Sequence, residues 1–234
     1  MTSSPILALL LLLLPTIGVR AEENTKTAEK GKPTAKEAET TAEEAIASLT
    51  DPKKLATLKG ERAVNPRFQM CLYWIESYER SKAGERVDYS SISHKVGVIK
   101  LIERAVELNG LIIDSGYCRR LATSLLINFT MANDYGLFTT EGMNELRQGK
   151  SATITKGEYA GQEATADYYI PLSVCPELQN QIFNLQLLPA SLTSSKGNKV
   201  ENGQVQFAKT LNGEGLLSEK GLELVKKAYE KDPK

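Results

Sequence analysis

The sequence predicts an α+β fold, mostly helical, with a small unit of strands and helix toward the C-terminus. Three observations predict it. Apolar side chains recur at helical spacing in three successive runs between residues 65 and 133. Residues 151–155, SATIT, and 164–170, ATADYYI, then carry strand-like patterns. A short apolar stretch at 184–188, NLQLL, leads into a polar segment suited to a helix start.

The chain opens with residues 6–14, ILALLLLLL, too short to span a bilayer and matched to the apolar core of a signal peptide. Pro15 and Gly18 break the helix after it, and Val19-Arg20-Ala21 offers small residues where a signal peptidase reads. The expectation is a signal peptide over residues 1–21, a periplasmic or secreted protein, and no transmembrane segment after cleavage. Residues 22–50 follow with no aromatic side chain and few large apolar ones; four lysines face seven glutamates, a net charge of −3. Such a segment cannot offset its ordering entropy, so it is predicted to be a disordered tether whose last part, AEEAIASL, is at most a transient helix.

Residues 51–234 suit a helical region, 51–135, joined to a smaller unit, 136–234. The whole chain is neutral, with 29 basic and 29 acidic residues, so this part carries +2 once Arg20 and the tether are set aside. A nucleic-acid-binding domain usually shows a larger basic excess, which argues against tight, salt-sensitive binding to a polyanion. Lys196, Lys199 and Lys209 are still spaced to form a local patch along one helix.

Asn65-Pro66 is a helix start, an N-cap followed by proline at the first helical position. After it Phe68, Cys71, Leu72, Ile75 and Tyr78 form an apolar stripe that ends near Lys82-Ala83-Gly84. A second helix begins at Ser91 or Ser93, with Val96, Ile99, Ile102, Val106 and Leu108 as its stripe until Asn109-Gly110. The third run, 117–133, is apolar on most faces and reads as central. Thr139-Thr140-Glu141 starts a short helix that runs to about Leu146 and stops at Gly149. Asn128-Phe129-Thr130 fits the glycosylation pattern but falls inside the most apolar helix, where an accidental match is the expectation. Cys71, Cys118 and Cys175 lie far apart with no C-x-x-C pair, which gives no zinc site of the usual kind. One disulfide with one free thiol is compatible with an oxidising compartment. The helical patterns bury Cys71 and Cys118, while the loop position of Cys175 predicts an exposed thiol.

The stretch 164–199 carries the most specific motif. It contains Asp167-Tyr168-Tyr169-Ile170-Pro171, then Asn184-Leu185-Gln186-Leu187-Leu188, then Thr193-Ser194-Ser195-Lys196-Gly197-Asn198-Lys199. In order and spacing it resembles the ββα-metal core of HNH endonucleases, whose members read D-H-I-I-P, an Asn before a short apolar strand, and N-x-x-K-G-x-K opening a helix. The resemblance covers roughly residues 136–225. It implies an HNH-like ββα unit with Asp167 as a ligand to Mg²⁺ or another divalent cation. It further implies Asn184 as the brace of the motif's turn, and Lys196 and Lys199 as phosphate contacts. Tyr168 stands where the family's general-base histidine stands, and Thr193 where the second ligand, Asn or His, stands.

That replacement has a chemical weight. A histidine of pKa ~6.5 accepts protons at pH 7, whereas a tyrosine near ~10 needs roughly 4 kcal/mol of selective phenolate stabilisation to do as well. Loss of base and ligand together points to a catalytically impaired pseudonuclease that keeps the fold for binding a protein, a nucleic acid or the cell envelope. An active metal-dependent DNA endonuclease with an atypical base is the alternative, and a helical protein-interaction module the second. His94, the only histidine, is expected at the surface or as a helix cap; the functional reading is that it folds over to replace the missing base.

Overall fold

The structure, a computed structural model, describes residues 35–83 and 87–231. The predicted signal peptide, 1–21, and the first part of the predicted tether, 22–34, lie outside the described residues. The fold is α+β: among the described residues nine helices accompany one three-stranded antiparallel sheet.

The first helix, α1 (Ala35–Thr50), overturns the tether expectation for residues 35–50. Ala42, Ile46 and Leu49, at i, i+4 and i+7, are buried against α3 (Asn65–Ala83) and α4 (Ile92–Leu108). Its last carbonyls, which no intrahelical donor reaches, are taken by side chains from elsewhere. Asn109 Nδ2 donates to the Ala47 carbonyl at 2.9 Å, Arg67 to that of Ser48 at 3.0 Å and the Tyr117 hydroxyl to that of Thr50 at 2.6 Å. Two large apolar residues and three captured carbonyls suffice to order a segment whose composition reads as solvated. The short α2 (Pro52–Leu55), capped by Asp51, follows it.

The whole expected stripe of α3, Phe68, Cys71, Leu72, Ile75 and Tyr78, is buried. In α4 Ile102 and Val106 of the expected stripe are buried, joined by His94, Val98, Leu101 and Ala105, while Val96 and Leu108 are exposed. The apolar positions of α4 are compatible with both faces, and tertiary packing selects the one that faces α1, α3 and α5. The central helix α5 (Gly116–Asp134) buries Leu121, Leu125, Leu126 and Phe129. Next, α6 (Thr140–Arg147) is capped by the Thr139 hydroxyl, which accepts from the Gly142 N–H at 3.0 Å.

The sheet has the order β1 (Ala152–Thr153), β2 (Glu163–Tyr168), β3 (Leu185–Pro189). The middle of SATIT, strand-like in the sequence, adds a third strand to the two of the expected ββα unit, paired Ala152 with Ala164 and Thr153 with Glu163. Strand alternation sorts β2 into two faces. Ala164, Ala166 and Tyr168 are buried toward the helices, while Thr165 and Asp167 point the other way, under α7 (Ala190–Lys196). Helix side chains bond to both strands of the long β2–β3 pair. Asn128 of α5 accepts from the Leu187 N–H at 2.7 Å and donates to the Leu185 carbonyl at 3.1 Å. Across the sheet, Asn65 and Gln69 of α3 donate to the carbonyls of Ala166 and Ala164 at 2.8 and 3.3 Å.

Strand, loop, strand and helix therefore follow one another over residues 163–196. The expected boundary at 135/136 is not a seam in the packing, because a single apolar core joins α1, α3, α4 and α5 to the buried face of the sheet. A second core begins at Ile170 and gathers Cys175, Leu178 and Phe183 under α8 (Asn202–Gly213) and α9 (Glu219–Glu230). No helix among the described residues is long and apolar enough to cross a membrane.

Candidate functional site

The site residues read from the sequence sit on β2, on the loop after it and on α7. Residues 165 and 167 share one face of β2, and residues 193 and 196, one turn apart on α7, lie over them. Thr193 Oγ1 is 2.7 Å from Thr165 Oγ1, and Lys196 Nζ is 2.9 Å from Asp167 Oδ2. The ammonium also donates to the Tyr168 carbonyl. The side chains of Asp167 and Lys196 are 19% and 17% exposed, so solvent screens the pair only in part. Lys196, expected at a phosphate, is the counter-charge of Asp167.

Tyr168 departs furthest from its expected role. Being the next residue on the strand, it projects from the opposite face to Asp167, into the main core. Its hydroxyl is shared between the carbonyls of Gln179, at 2.8 Å, and Glu61. Burial pushes the phenol up to about 12, with Arg62 opposing and Glu61 and Asp167 adding to the rise. At pH 7 only about one molecule in 10⁵ would be phenolate. A buried phenol that donates to two carbonyls is a tie between segments, not a proton acceptor.

Asn184 is fully buried and brackets Ile170, accepting from its N–H at 3.0 Å and donating to its carbonyl at 3.1 Å. The neighbouring Tyr169 N–H donates to the Asn184 carbonyl at 2.6 Å. These bonds fix the turn where the chain leaves β2, and the Pro171 carbonyl continues it by accepting from the Val174 and Cys175 N–H groups. Lys199, past Gly197, is exposed, and Lys209 is on α8. The three lysines expected to line one helix thus lie on α7, the following turn and α8.

A hard divalent cation needs several oxygen donors that carry net negative charge. The donor set here does not fit one. Asp167 faces an ammonium, Thr193 faces another threonine, and the described residues contain no group of three His, Cys, Asp or Glu side chains placed to hold a metal.

Cys175 is buried, correcting the exposed-thiol expectation: the loop between the strands folds inward under α8 and α9. Cys71 and Cys118 are buried as well, and all three are free thiols. Burial raises them to about 12 for Cys71 and about 11 for Cys118 and Cys175.

His94 is neither at the surface nor the cap. The cap of α4 is Ser91, whose hydroxyl accepts from the His94 N–H at 3.1 Å. The imidazole turns inward, with Nδ1 2.6 Å from Glu79 Oε2 and its ring 5.3 Å from Tyr89 and 5.5 Å from Phe129. None of those partners belongs to residues 163–199. Around this pair lies a polar cluster that sequence reasoning missed: Glu76 Oε1 accepts from Arg80 Nε at 2.6 Å and from the Tyr89 hydroxyl at 2.7 Å. The spacing of Glu76, Glu79 and Arg80 on one helix turn was visible, but an EXXER pattern reads as a solvated face until the fold buries it.

Compared with protein-family models, with curated proteins and with solved structures, the chain matches none.

Proposed function

We propose that residues 136–225 are an HNH-endonuclease-like ββα unit that has given up hydrolysis, in an exported protein whose role is binding. The observation that carries this reading is the ammonium of Lys196 on Asp167: the carboxylate that would hold a metal holds a cation supplied by the chain itself. The base position supports the same reading. Tyr168 cannot both hold the Glu61 and Gln179 carbonyls and take a proton from a water beside Asp167 on the other face of β2. The modest +2 charge of residues 51–234 favours a protein partner over a polyanion.

The test is nicking of supercoiled plasmid in the presence of Mg²⁺ or Mn²⁺, with thermal unfolding measured alongside. The wild-type protein is expected to leave the plasmid intact and to show no rise in Tm with either ion. Metal-dependent cleavage by the wild type that Asp167→Ala abolishes would overturn the reading and establish an active endonuclease. Lys196→Ala is expected to lower stability by about 2 kcal/mol, because a partly buried carboxylate loses its counter-charge.

A further inference from the structure

The helix that covers Asp167 is held on the sheet by polar bonds. None of the seven residues of α7 is buried, and its one large apolar side chain, Leu192, is 37% exposed. A helix this short has little stability of its own. The hydroxyls of Ser194 and Ser195 turn back onto its own carbonyls, those of Ala190 and Leu192, at 3.0 and 3.1 Å, which does little to favour the helix. Its polar ties to the sheet are few. The Ser191 N–H donates to Gln162 Oε1 at 3.1 Å, the Thr193 and Thr165 hydroxyls meet at 2.7 Å, and the Lys196 ammonium sits on Asp167 and the Tyr168 carbonyl. The two neutral bonds exchange readily for bonds to water, so lifting α7 costs little beyond the ion pair.

The two ends of this segment are fixed. Pro189, the last residue of β3, is buried, and Val200 enters the second core at 4% exposed. Between them Gly197 takes φ +60°, and a Cβ there would meet nothing within 4 Å, so the backbone has a joint in open space. What lies beneath is fixed without α7. Asp167 is paired with Gln186 in the β2–β3 ladder, and Tyr168 is tied by its hydroxyl to the carbonyls of Gln179 and Glu61. Asp167 Oδ2 and the Tyr168 carbonyl therefore stay side by side as two acceptors for one donor group. A primary ammonium, with three N–H donors and one charge, matches them.

We propose that residues 190–199 are a displaceable strap, and that a lysine side chain of a protein partner takes the seat of Lys196 on Asp167 and the Tyr168 carbonyl when α7 lifts. Charge complementarity selects that partner, because a lifted α7 carries its ammonium away and leaves a carboxylate beside a carbonyl. The exchange conserves the ion pair: one ammonium replaces another, and no apolar side chain has to leave a core. This seat rests on the binding role proposed above and gives that role a partner class. Plasmid cleavage by the wild type would remove the role and leave the tests of the strap as they stand.

Two measurements on the full-length protein decide. Amide hydrogen exchange in the wild type is expected to run at least about a hundredfold faster over residues 191–196 than over β2 and β3. Equal protection overturns the strap. The second measurement titrates Lys196→Ala with n-butylammonium, a lysine side chain without its backbone, against sodium at equal ionic strength. Saturable NMR shifts are expected at the amides of Thr165, Asp167 and Tyr168, at least about tenfold weaker in the wild type, where the tethered Lys196 competes. Tetramethylammonium, which has no N–H for the Tyr168 carbonyl, is expected to do no more than sodium. Shifts that are absent, equal with tetramethylammonium, or equal in affinity in the wild type overturn the seat. A variant that fails to fold overturns the strap as well, because a helix that buries nothing is not needed for the core.

Discussion

Asn184 stands to Ile170 as a neighbouring strand would: its amide accepts from the Ile170 N–H and donates to the Ile170 carbonyl, at 3.0 and 3.1 Å. Both backbone groups are buried, so the side chain performs a ladder pairing at a point where the sheet has already ended. Removing it leaves two orphans at once, each costing about 1–3 kcal/mol. Asn184→Ala is expected to lose roughly 2–4 kcal/mol in urea unfolding. Asn184→Asp should be little better, since a carboxylate cannot donate to the Ile170 carbonyl.

The three thiols should be silent in the folded protein. Disulfide reagents attack the thiolate, and with values pushed to about 11 or 12 by burial the native thiols are almost wholly protonated at neutral pH. Ellman's reagent at about pH 8 is expected to find essentially none in native protein and all three in denaturant. Because the folded values lie above the ordinary 9.0, the thiols support the fold below about pH 9 and withdraw that support as pH climbs toward 11–12.

The N-terminal helix gives a third test. Ile46 is fully buried, so Ile46→Ala is expected to cost about 2–5 kcal/mol. Deleting everything before residue 51 should be worse, because it also strands Arg67, Asn109 and Tyr117 without the carbonyls they serve. Limited proteolysis is expected to spare residues 42–50; a protease-resistant product beginning at residue 51 would refute this.

The sequon at Asn128 should remain bare. Its side chain is 3% exposed and spans from α5 to β3, so a glycan there is incompatible with the folded sheet edge. Expression through a eukaryotic secretory pathway should yield protein whose mobility a glycosidase does not change. Asn128→Ala is expected to destabilise the fold by roughly 2–4 kcal/mol, for the same reason as at Asn184.

Much of this architecture was legible because local signals and packing agree. Asn65-Pro66, Ser91 and Thr139 mark helix starts that the fold keeps, and the stripe of α3 is its buried face. The strand order around Asp167 and Asn184 could be read from spacing. What could not be read were partnerships between distant residues. The tether reading of α1 failed because its anchors are side chains up to 67 residues away. The buried face of α4 was read only in part, Ile102 and Val106 but not Val98, Leu101 and Ala105, because its apolar residues surround more than one side of the helix. His94 was misplaced because nothing local announces Glu79, fifteen positions earlier, as its partner. The closeness of Thr193 and Lys196 to β2 was legible from spacing, but their pairing was not. Lys196 and Thr193 sit one turn apart, and only the docking of α7 decides which of them meets the carboxylate.

Helix side chains already bond the sheet at positions where an added strand would have to pair. Strand addition, a common way to capture an extended peptide, needs a free row of backbone donors and acceptors. Here Asn128 occupies that row on β3, Asn65 and Gln69 occupy it on β2, and even β1 has its Thr153 N–H directed to Glu145 at 3.3 Å. An incoming chain would have to displace amides already bonded on both flanks. Strand addition at these positions is disfavoured, and the same bonds work against two copies of the sheet pairing edge to edge.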